Sequence, residues 1–190
     1  MILLVGVFAG LAAGLLRSWY AGSPYHIPEL RLVWVVLLAF ILQLLAFQLP
    51  ATRRFFPDNL AALVLVSSQV LLLIFVWANR KQSAFWVLGL GLILNLAVIA
   101  FNRGLMPISP ETLTRLVPSV PPKSWVVGSR STSGKDIILL AVDTRLWWFS
   151  DRLILPSWIP YLVAFSIGDV FIAAGAFWLF WSFGAASRKA

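Results

Sequence analysis

Three aspartates near the carboxyl end of the chain have the clearest capacity for chemistry. Asp169 lies inside a hydrophobic run that opens at Ser166, and Asp143 and Asp151 lie upstream of it. A carboxylate near the end of a membrane span persists only when it is paired, hydrogen-bonded, protonated or facing water. Two carboxyl groups held close together cannot both ionise cheaply, so one stays protonated while the other activates a water molecule. Hydrolysis of a peptide bond by two aspartates requires that arrangement.

Two prolines separate the best candidates for such a pair. Pro156 and Pro160 lie between Asp151 and Asp169 and prevent a continuous helix there, because proline lacks an amide donor and clashes with the preceding turn. The chain can therefore fold back, and we expect the two carboxyl groups to meet at the outer mouth of the last helix. We predict Asp151 and Asp169 as a catalytic pair.

The same acids have purely structural interpretations, which stay open. Ser166 and Asp169 have the spacing of a capping box, in which the serine caps the helix and the acid reaches back to a free amide. Two neighbouring pairs would equally form simple ion pairs at the membrane interface: Asp151 with Arg152, and Asp143 with Arg145.

The composition identifies lipid as the solvent for most of the chain. Its 190 residues are 61% hydrophobic and 12% charged, whereas a soluble domain averages roughly 45–50% apolar and about 25% charged residues. The chain has no cysteine and a single histidine, His26, so we expect no metal or other cofactor. The net charge of +8 is explained by basic loops that meet anionic headgroups, and nucleic acid is not an expected partner.

Apolar stretches predict an all-α membrane protein, a bundle of about five transmembrane helices in a single integral domain. The predicted spans are residues 2–16, 32–49, 59–78, 83–101 and 166–183. Gly6, Gly10 and Gly14 recur at every fourth position of the first span, which predicts close packing against another helix. Asn95, in the fourth span, is of a type that usually makes hydrogen bonds between helices.

Residues 102–165 form a long segment between the last two predicted spans. Ser109, Pro110 and Glu111 are typical of a helix start, with a serine cap, a proline in the first turn and an acid near the positive end of the helix dipole. The apolar runs 125–127 and 137–142 flank a polar, glycine-containing loop, and this pattern predicts a small β-hairpin.

Basic residues in the short connections predict the orientation, because they favour the cytoplasmic side. The opposite side has only Arg53 and Arg54 in its short loop. We therefore expect the amino terminus and residues 102–165 outside, and the carboxyl terminus in the cytoplasm. The residues assigned to the cytoplasmic side are Arg17, Arg31, Arg80, Lys81, Arg188 and Lys189.

The carboxyl-terminal half resembles the lipoprotein signal peptidases, the bacterial membrane aspartic proteases that trim lipid-modified precursor proteins. Ser166 and Gly168 stand where asparagine and alanine are usual in those enzymes, and Asp151 lies near the position of their other catalytic aspartate, without the valine pair that precedes it there. Four residues match the pattern that opens their last span: Phe165, Asp169, Ile172 and Gly175.

The resemblance continues upstream of the two acids. Asn102-Arg103-Gly104 is similar to an Asn-x-Gly motif of these peptidases, and Asp143 and Arg145 are similar to an Asp-Arg pair, with one residue inserted. The resemblance implies that Asn102, Asp143 and Arg145 position substrate. The Asp-x-x-x-Lys pattern in the first span of those enzymes has no counterpart here.

Over nearly its full length the chain also resembles a family of small bacterial multi-pass membrane proteins of unknown function, through residues 102–107 and 165–169. This resemblance implies the cytoplasmic (inner) membrane of a bacterium as the location.

One hypothesis for the function is an aspartic endopeptidase that cleaves membrane-anchored, lipidated precursors. The other is a non-catalytic accessory or scaffold subunit of a larger complex, for example respiratory or photosynthetic, that packs through helix, lipid or pigment contacts. The expected partners are membrane lipids, with lipidated precursor proteins in the first case and other membrane subunits in the second.

Overall fold

The computed structural model describes residues 2–121, 124–131, 134–156, 158–159 and 161–184 of the chain. Within these residues the protein is mostly helical and has only short strands. Pro160 and the basic residues Arg188 and Lys189 lie outside the described residues.

The helices follow the apolar stretches of the sequence. In chain order they are α1 (Ile2–Tyr20), α2 (Val33–Gln43), α3 (Pro50–Arg53), α4 (Asp58–Ala78), α5 (Ala84–Phe101), α6 (Pro110–Leu116) and α7 (Ile167–Ser182). Three of them, α1, α4 and α5, are long and apolar enough to cross a membrane. The apolar helix at Val33–Gln48 and α7 are shorter, so the number of crossings stays a prediction.

Two of the predicted boundaries differ from the structure. The helix α1 continues to Tyr20, past the predicted end at residue 16, because the polar residues Arg17 and Ser18 do not by themselves stop a helix. The second apolar stretch changes from α2 into a π-helix over Leu44–Gln48, ahead of Pro50 at the start of α3. Wider turns of this kind occur inside otherwise regular helices.

Glycine allows α7 to lie between α1 and α5, and both packing contacts are extensive. A Cβ atom at Gly10 would lie 2.5 Å from the carbonyl oxygen of Phe177, and one at Gly14 would lie 2.5 Å from that of Phe180. On the opposite side of α7, a Cβ atom at Gly175 would lie 2.7 Å from Leu88 of α5. The backbones therefore approach as closely as small residues permit.

The remaining helices extend this arrangement, since α5 packs on α4 and α4 packs on α2. The main buried cluster lies where α4 and α5 meet the start of the long segment, and it includes Leu65, Val98, Ile99, Met106 and Ile137. The residues that follow α5 are thus held against the helices instead of extending into solvent.

Four short strands organise the long segment. β1 (Met106–Ile108) pairs in parallel with β2 (Asp136–Ile138), and β3 (Leu153–Ile154) pairs antiparallel with β4 (Ala164–Phe165). The β3–β4 pair confirms that the chain folds back between Asp151 and Asp169. A 3₁₀ turn at Trp147–Phe149 precedes β3.

The predicted hairpin is present in a reduced and shifted form. The amide of Ile138 donates to Ser129 O at 3.0 Å, and the amide of Gly128 donates to Ile138 O at 2.7 Å, so residues 128–131 run antiparallel to β2. The predicted first strand, 125–127, does not form, because the chain turns at Gly128, where φ is +86°. The predicted helix start at Ser109 is confirmed, since its hydroxyl accepts from the Thr112 amide at 3.2 Å.

Candidate functional site

Asp169 lies in the first turn of α7, where it forms the predicted capping box with Ser166. The Ser166 hydroxyl accepts a hydrogen bond from the Asp169 amide at 3.0 Å, and Asp169 Oδ2 accepts one from the Ser166 amide at 3.2 Å. The structural interpretation of this pair is therefore confirmed. Two free amides at the start of α7 are satisfied inside the protein.

Asn95 of α5 connects this cap to the neighbouring helix. Its Nδ2 donates to Asp169 Oδ1 at 2.8 Å, and its Oδ1 accepts from the Ser166 hydroxyl at 2.8 Å. Asn95 is only 3% exposed and Ser166 is fully buried, whereas Asp169 is half-buried. The expected hydrogen bond between helices is confirmed for Asn95.

Gly168 explains how Asn95 can come so close. A Cβ atom at this position would collide with Asn95 Oδ1, and a Cβ atom at Gly91 would lie 2.5 Å from Gly168 O. The lipoprotein signal peptidases usually have alanine where this chain has Gly168, and an alanine could not be accommodated beside Asn95 in this arrangement.

Asp151 is almost completely buried, with 4% of its surface exposed. Its amide donates to Pro107 O at 3.2 Å, which attaches the residue to β1. Its Oδ2 lies 3.7 Å from Lys135 Nζ, and its side chain also forms a hydrogen bond with the carboxyl group of Asp136. Arg152 instead stacks on Trp147, 3.9 Å from the ring centre, so the expected ion pair between Asp151 and Arg152 is wrong.

Lys135 and Asp136 complete a group that we call the charge cluster, consisting of Lys135, Asp136, Asp151 and Asp169. Lys135 interacts electrostatically with all three carboxyl groups. Asp136, at the start of β2, acts on Asp151 through repulsion between like charges, as does Asp169. The parallel pairing of β2 with β1, and the attachment of Asp151 to β1, bring these distant residues together.

Burial controls the protonation of the cluster. It raises the pKa of Asp151 well above the ordinary value; Lys135 opposes this rise, whereas Asp136 and Asp169 add to it. Burial also raises the pKa of Asp136, again against the effect of Lys135. The pKa of Lys135 is lowered by burial but raised more by the three acids, so it stays charged. One ammonium cannot neutralise three carboxylates, so the cluster favours a carboxylic acid beside a carboxylate.

The predicted catalytic acids therefore lie in one electrostatic environment, but each is held by its own partners. Asp169 accepts from Asn95 and Ser166, while Asp151 faces Lys135. Sharing of a proton between Asp151 and Asp169 stays a prediction.

Asn102 is not free to bind a substrate carbonyl, because its side chain is fully engaged with backbone. Its Nδ2 donates to Val98 O and to Arg145 O, each at 2.8 Å, and its Oδ1 accepts from the Arg145 amide at 3.0 Å. Asn102 is 3% exposed. It therefore holds the backbone of Arg145 in place, and any effect on a ligand would be exerted through that residue.

Asp143 and Arg145 are exposed and line a cavity of about 620 Å³ at the end of α5. Within the part of the chain that the structure describes, the two side chains form no salt bridge with each other. Their role in positioning substrate stays a prediction. The same described residues contain no group of three acidic or histidine side chains that could hold a metal ion.

Sequence reasoning missed Lys135 and Asp136. The available signal was a pair of charges placed directly before the apolar run that begins at Ile137, in a strand with a buried face. It was weak, because charged residues at a strand end are usually solvated.

Comparison with known proteins leaves the activity open. No curated protein and no solved structure matches the chain, so the resemblance to lipoprotein signal peptidases rests on the motifs alone. The sequence matches the family DUF5317 over residues 28–181, a range that contains Asn95, Asn102 and the whole charge cluster. Because this match extends over most of the chain, the protein belongs to DUF5317, a family of unknown function.

Proposed function

We propose that the protein is an integral membrane aspartic endopeptidase that cleaves membrane-anchored, lipidated precursor peptides. One observation carries the proposal: Asp151, which is buried and has a raised pKa, interacts electrostatically with Asp169 at the start of α7. Functional sites commonly combine desolvation with a specific charged partner in this way.

The chemistry assigns different tasks to the two acids. Asp151, kept protonated by burial, donates its proton to the carbonyl oxygen of the scissile peptide bond. Asp169, whose oxygens act as acceptors, takes a proton from the water that attacks the carbonyl carbon. When the tetrahedral intermediate collapses, the carbon–nitrogen bond breaks and the amine leaves with the proton from Asp169, while one hydroxyl group of the intermediate returns its proton to Asp151 and becomes the carbonyl group of the new carboxylic acid. Lys135 limits the negative charge of the cluster throughout.

We further propose five membrane crossings, with the amino terminus and residues 102–165 outside and the carboxyl terminus in the cytoplasm of a bacterium. Three helices are long and apolar enough to cross a membrane, and α7 and the Val33–Gln48 helix are shorter apolar helices. The charge cluster then lies near the outer rim of the bundle, where an anchored precursor emerges from the bilayer. The excess of basic residues in the connections assigned to the cytoplasm supports this orientation.

Cleavage by the reconstituted protein tests the proposal. The full chain in lipid vesicles is given a fluorescent, diacylglycerol-modified precursor peptide, and product is measured over time. Asp151→Asn and Asp169→Asn should each lower the rate by at least about 10²-fold, the usual contribution of a general acid or base. Asp58→Asn is the matched control, because Asp58 also lies in the first turn of an apolar helix but is largely exposed and paired with Arg130.

Two results would contradict the peptidase. The wild-type protein could leave the precursor intact, or the two Asn variants could cleave it at the wild-type rate. Either result would remove the assignment of Asp151 and Asp169 as catalytic residues.

A second candidate is a non-catalytic accessory or scaffold subunit, which is favoured by the hydrogen bonds that hold Asp169. Both of its oxygens accept N–H groups of the fold itself, so a structural role accounts for the residue. Gly6, Gly10 and Gly14 of α1 do not favour this candidate, because α7 already packs against them. Extraction in mild detergent followed by size-exclusion chromatography distinguishes the two: a subunit co-purifies with a larger complex, whereas isolation as a single chain argues against it.

A further inference from the structure

A second polar site lies apart from the charge cluster, at the carboxyl end of α5. We infer that the cavity between Arg103 and Arg145 binds the phosphate headgroup of an anionic phospholipid. The cavity has a volume of about 620 Å³. Its lining is unusual for this protein because it combines two arginines with apolar side chains at the end of a helix long enough to cross a membrane.

The charges at this cavity favour an anion. Arg103 and Arg145 are exposed, and neither forms a salt bridge with any residue that the structure describes. Asp143 is the acid that lines the same cavity, so the arginines exceed it by one charge. The planar guanidinium group presents paired donors that match the oxygens of a phosphate.

The backbone beneath the arginines is already fixed. Asn102 holds Arg145 by hydrogen bonds to both its amide and its carbonyl group. Arg103 and Leu146 adopt positive φ angles of 60° and 55°, a region that residues with a Cβ rarely occupy unless the surrounding structure imposes it. A ligand would therefore meet two arginines whose backbone needs no further ordering.

The apolar surroundings indicate that the anion carries hydrocarbon chains. Phe101 and Val127 line the cavity and are 57% and 46% exposed. An exposed apolar stripe on α5 leads along the helix to Phe101 through Trp86, Leu90 and Ile93, whose spacing places them on one helix face. Acyl chains can lie along this stripe while the phosphate reaches the arginines. A soluble phosphate compound has no hydrocarbon chain that could contact the stripe.

The position at a helix end makes the arginines essential. The carboxyl end of α5 carries the negative pole of the helix dipole, which repels a phosphate. The attraction must therefore come from the arginines, and neutralising both should abolish the preference for an anionic lipid. The inference is independent of the proposed hydrolysis, since it concerns binding alone.

Lipid titration of the purified full chain tests the inference. The protein in neutral detergent is titrated with fluorescent phosphatidylglycerol and, separately, with phosphatidylcholine. We expect the wild type to prefer phosphatidylglycerol, and the double variant Arg103→Gln/Arg145→Gln to bind it at least about tenfold more weakly. Arg17→Gln/Arg80→Gln is the matched control: it removes the same charge from two arginines that stack on Trp181 and Trp77, and it should bind like the wild type.

Three results would overturn the inference: equal binding of the two lipids by the wild type, undiminished binding by the Arg103/Arg145 variant, or an equal loss in the control variant. Competition identifies the source of the phosphate. Inorganic phosphate at millimolar concentration should not displace the lipid, and displacement would show a simple anion site instead. Unchanged thermal unfolding of each variant in the same detergent confirms that the comparison concerns folded protein.

Discussion

Asp151 shows at the scale of a single residue how burial changes the chemistry of a carboxyl group. The residue is 4% exposed, shares a hydrogen bond with Asp136 and faces a lysine. Desolvation penalises the charged form more than Lys135 stabilises it, so the pKa of Asp151 lies well above the ordinary value. In the unfolded chain the same group ionises near its reference pKa of about 3.9.

This difference predicts a pH-dependent stability. Below the unfolded pKa both states hold the proton and the contribution of Asp151 is fully present; as pH rises towards the higher folded pKa, the unfolded state alone releases its proton and stability is lost. Relative to Asp151→Asn, which cannot ionise at this position, the wild type should therefore become less stable as pH rises above about 4. Thermal unfolding in detergent across this range measures the effect.

The Asp151→Asn variant loses two things at once: the titration of Asp151 and its ion pair with Lys135. Asp151→Asn leaves Lys135 without its nearest acid, which shifts the whole curve. Asp58→Asn, at a largely exposed acid, should run parallel to the wild type. A constant difference between wild type and Asp151→Asn at every pH would contradict the prediction.

Gly168 allows a second prediction at the residue scale. An added methyl group would collide with Asn95 Oδ1 and force the buried hydrogen bonds of Ser166 and Asp169 to rearrange. Gly168→Ala should lower the free energy of unfolding by about 1–3 kcal/mol, the usual cost of overpacking. Val170→Ala, on the exposed side of the same helix turn, serves as the control in chemical denaturation, and equal effects of the two changes would show that the contact is not critical.

At the scale of the elements, glycine determines how helices pack in this protein. Without a hydrophobic driving force between helices in lipid, close approach of their backbones supplies much of the attraction. The first helix presents Gly6, Gly10 and Gly14 to the backbone of α7, and Gly91 of α5 meets the start of α7 on its other side. The position of α7, and with it that of Asp169, thus depends on these close backbone contacts as well as on the hydrogen bonds of Asn95 and Ser166.

Replacing one of these glycines should separate α1 from α7. Gly10→Leu places a large side chain where even a Cβ atom would lie 2.5 Å from Phe177 O, so we expect a loss of about 1–3 kcal/mol or more in unfolding free energy. Ala12→Leu adds a similar volume at an exposed position of the same helix and should have little effect. If both variants unfold alike in thermal melts, α1 and α7 do not depend on this contact.

At the scale of the whole molecule, the proposed orientation assigns the charge cluster to the outer side of the membrane. The chain contains no cysteine, so single cysteines report the side of the membrane without interference. Ser124→Cys, in the long segment, should react with a membrane-impermeant maleimide on intact cells. Ala21→Cys, between α1 and α2, should react only after permeabilisation. The reverse pattern would invert the orientation and place the cluster in the cytoplasm.

Local patterns determined much of this architecture from the sequence alone. The apolar runs located the helices, and the Ser166–Asp169 spacing identified the capping box, because such features depend on residues three or four positions apart. Two prolines indicated the reversal of the chain before α7. The tertiary structure decided which polar groups meet: Lys135 with Asp151, Asn95 with Asp169, and Asn102 with the backbone of Arg145. These partners lie far apart in sequence, and strand pairing and glycine-mediated helix packing bring them together, so no local spacing could reveal them.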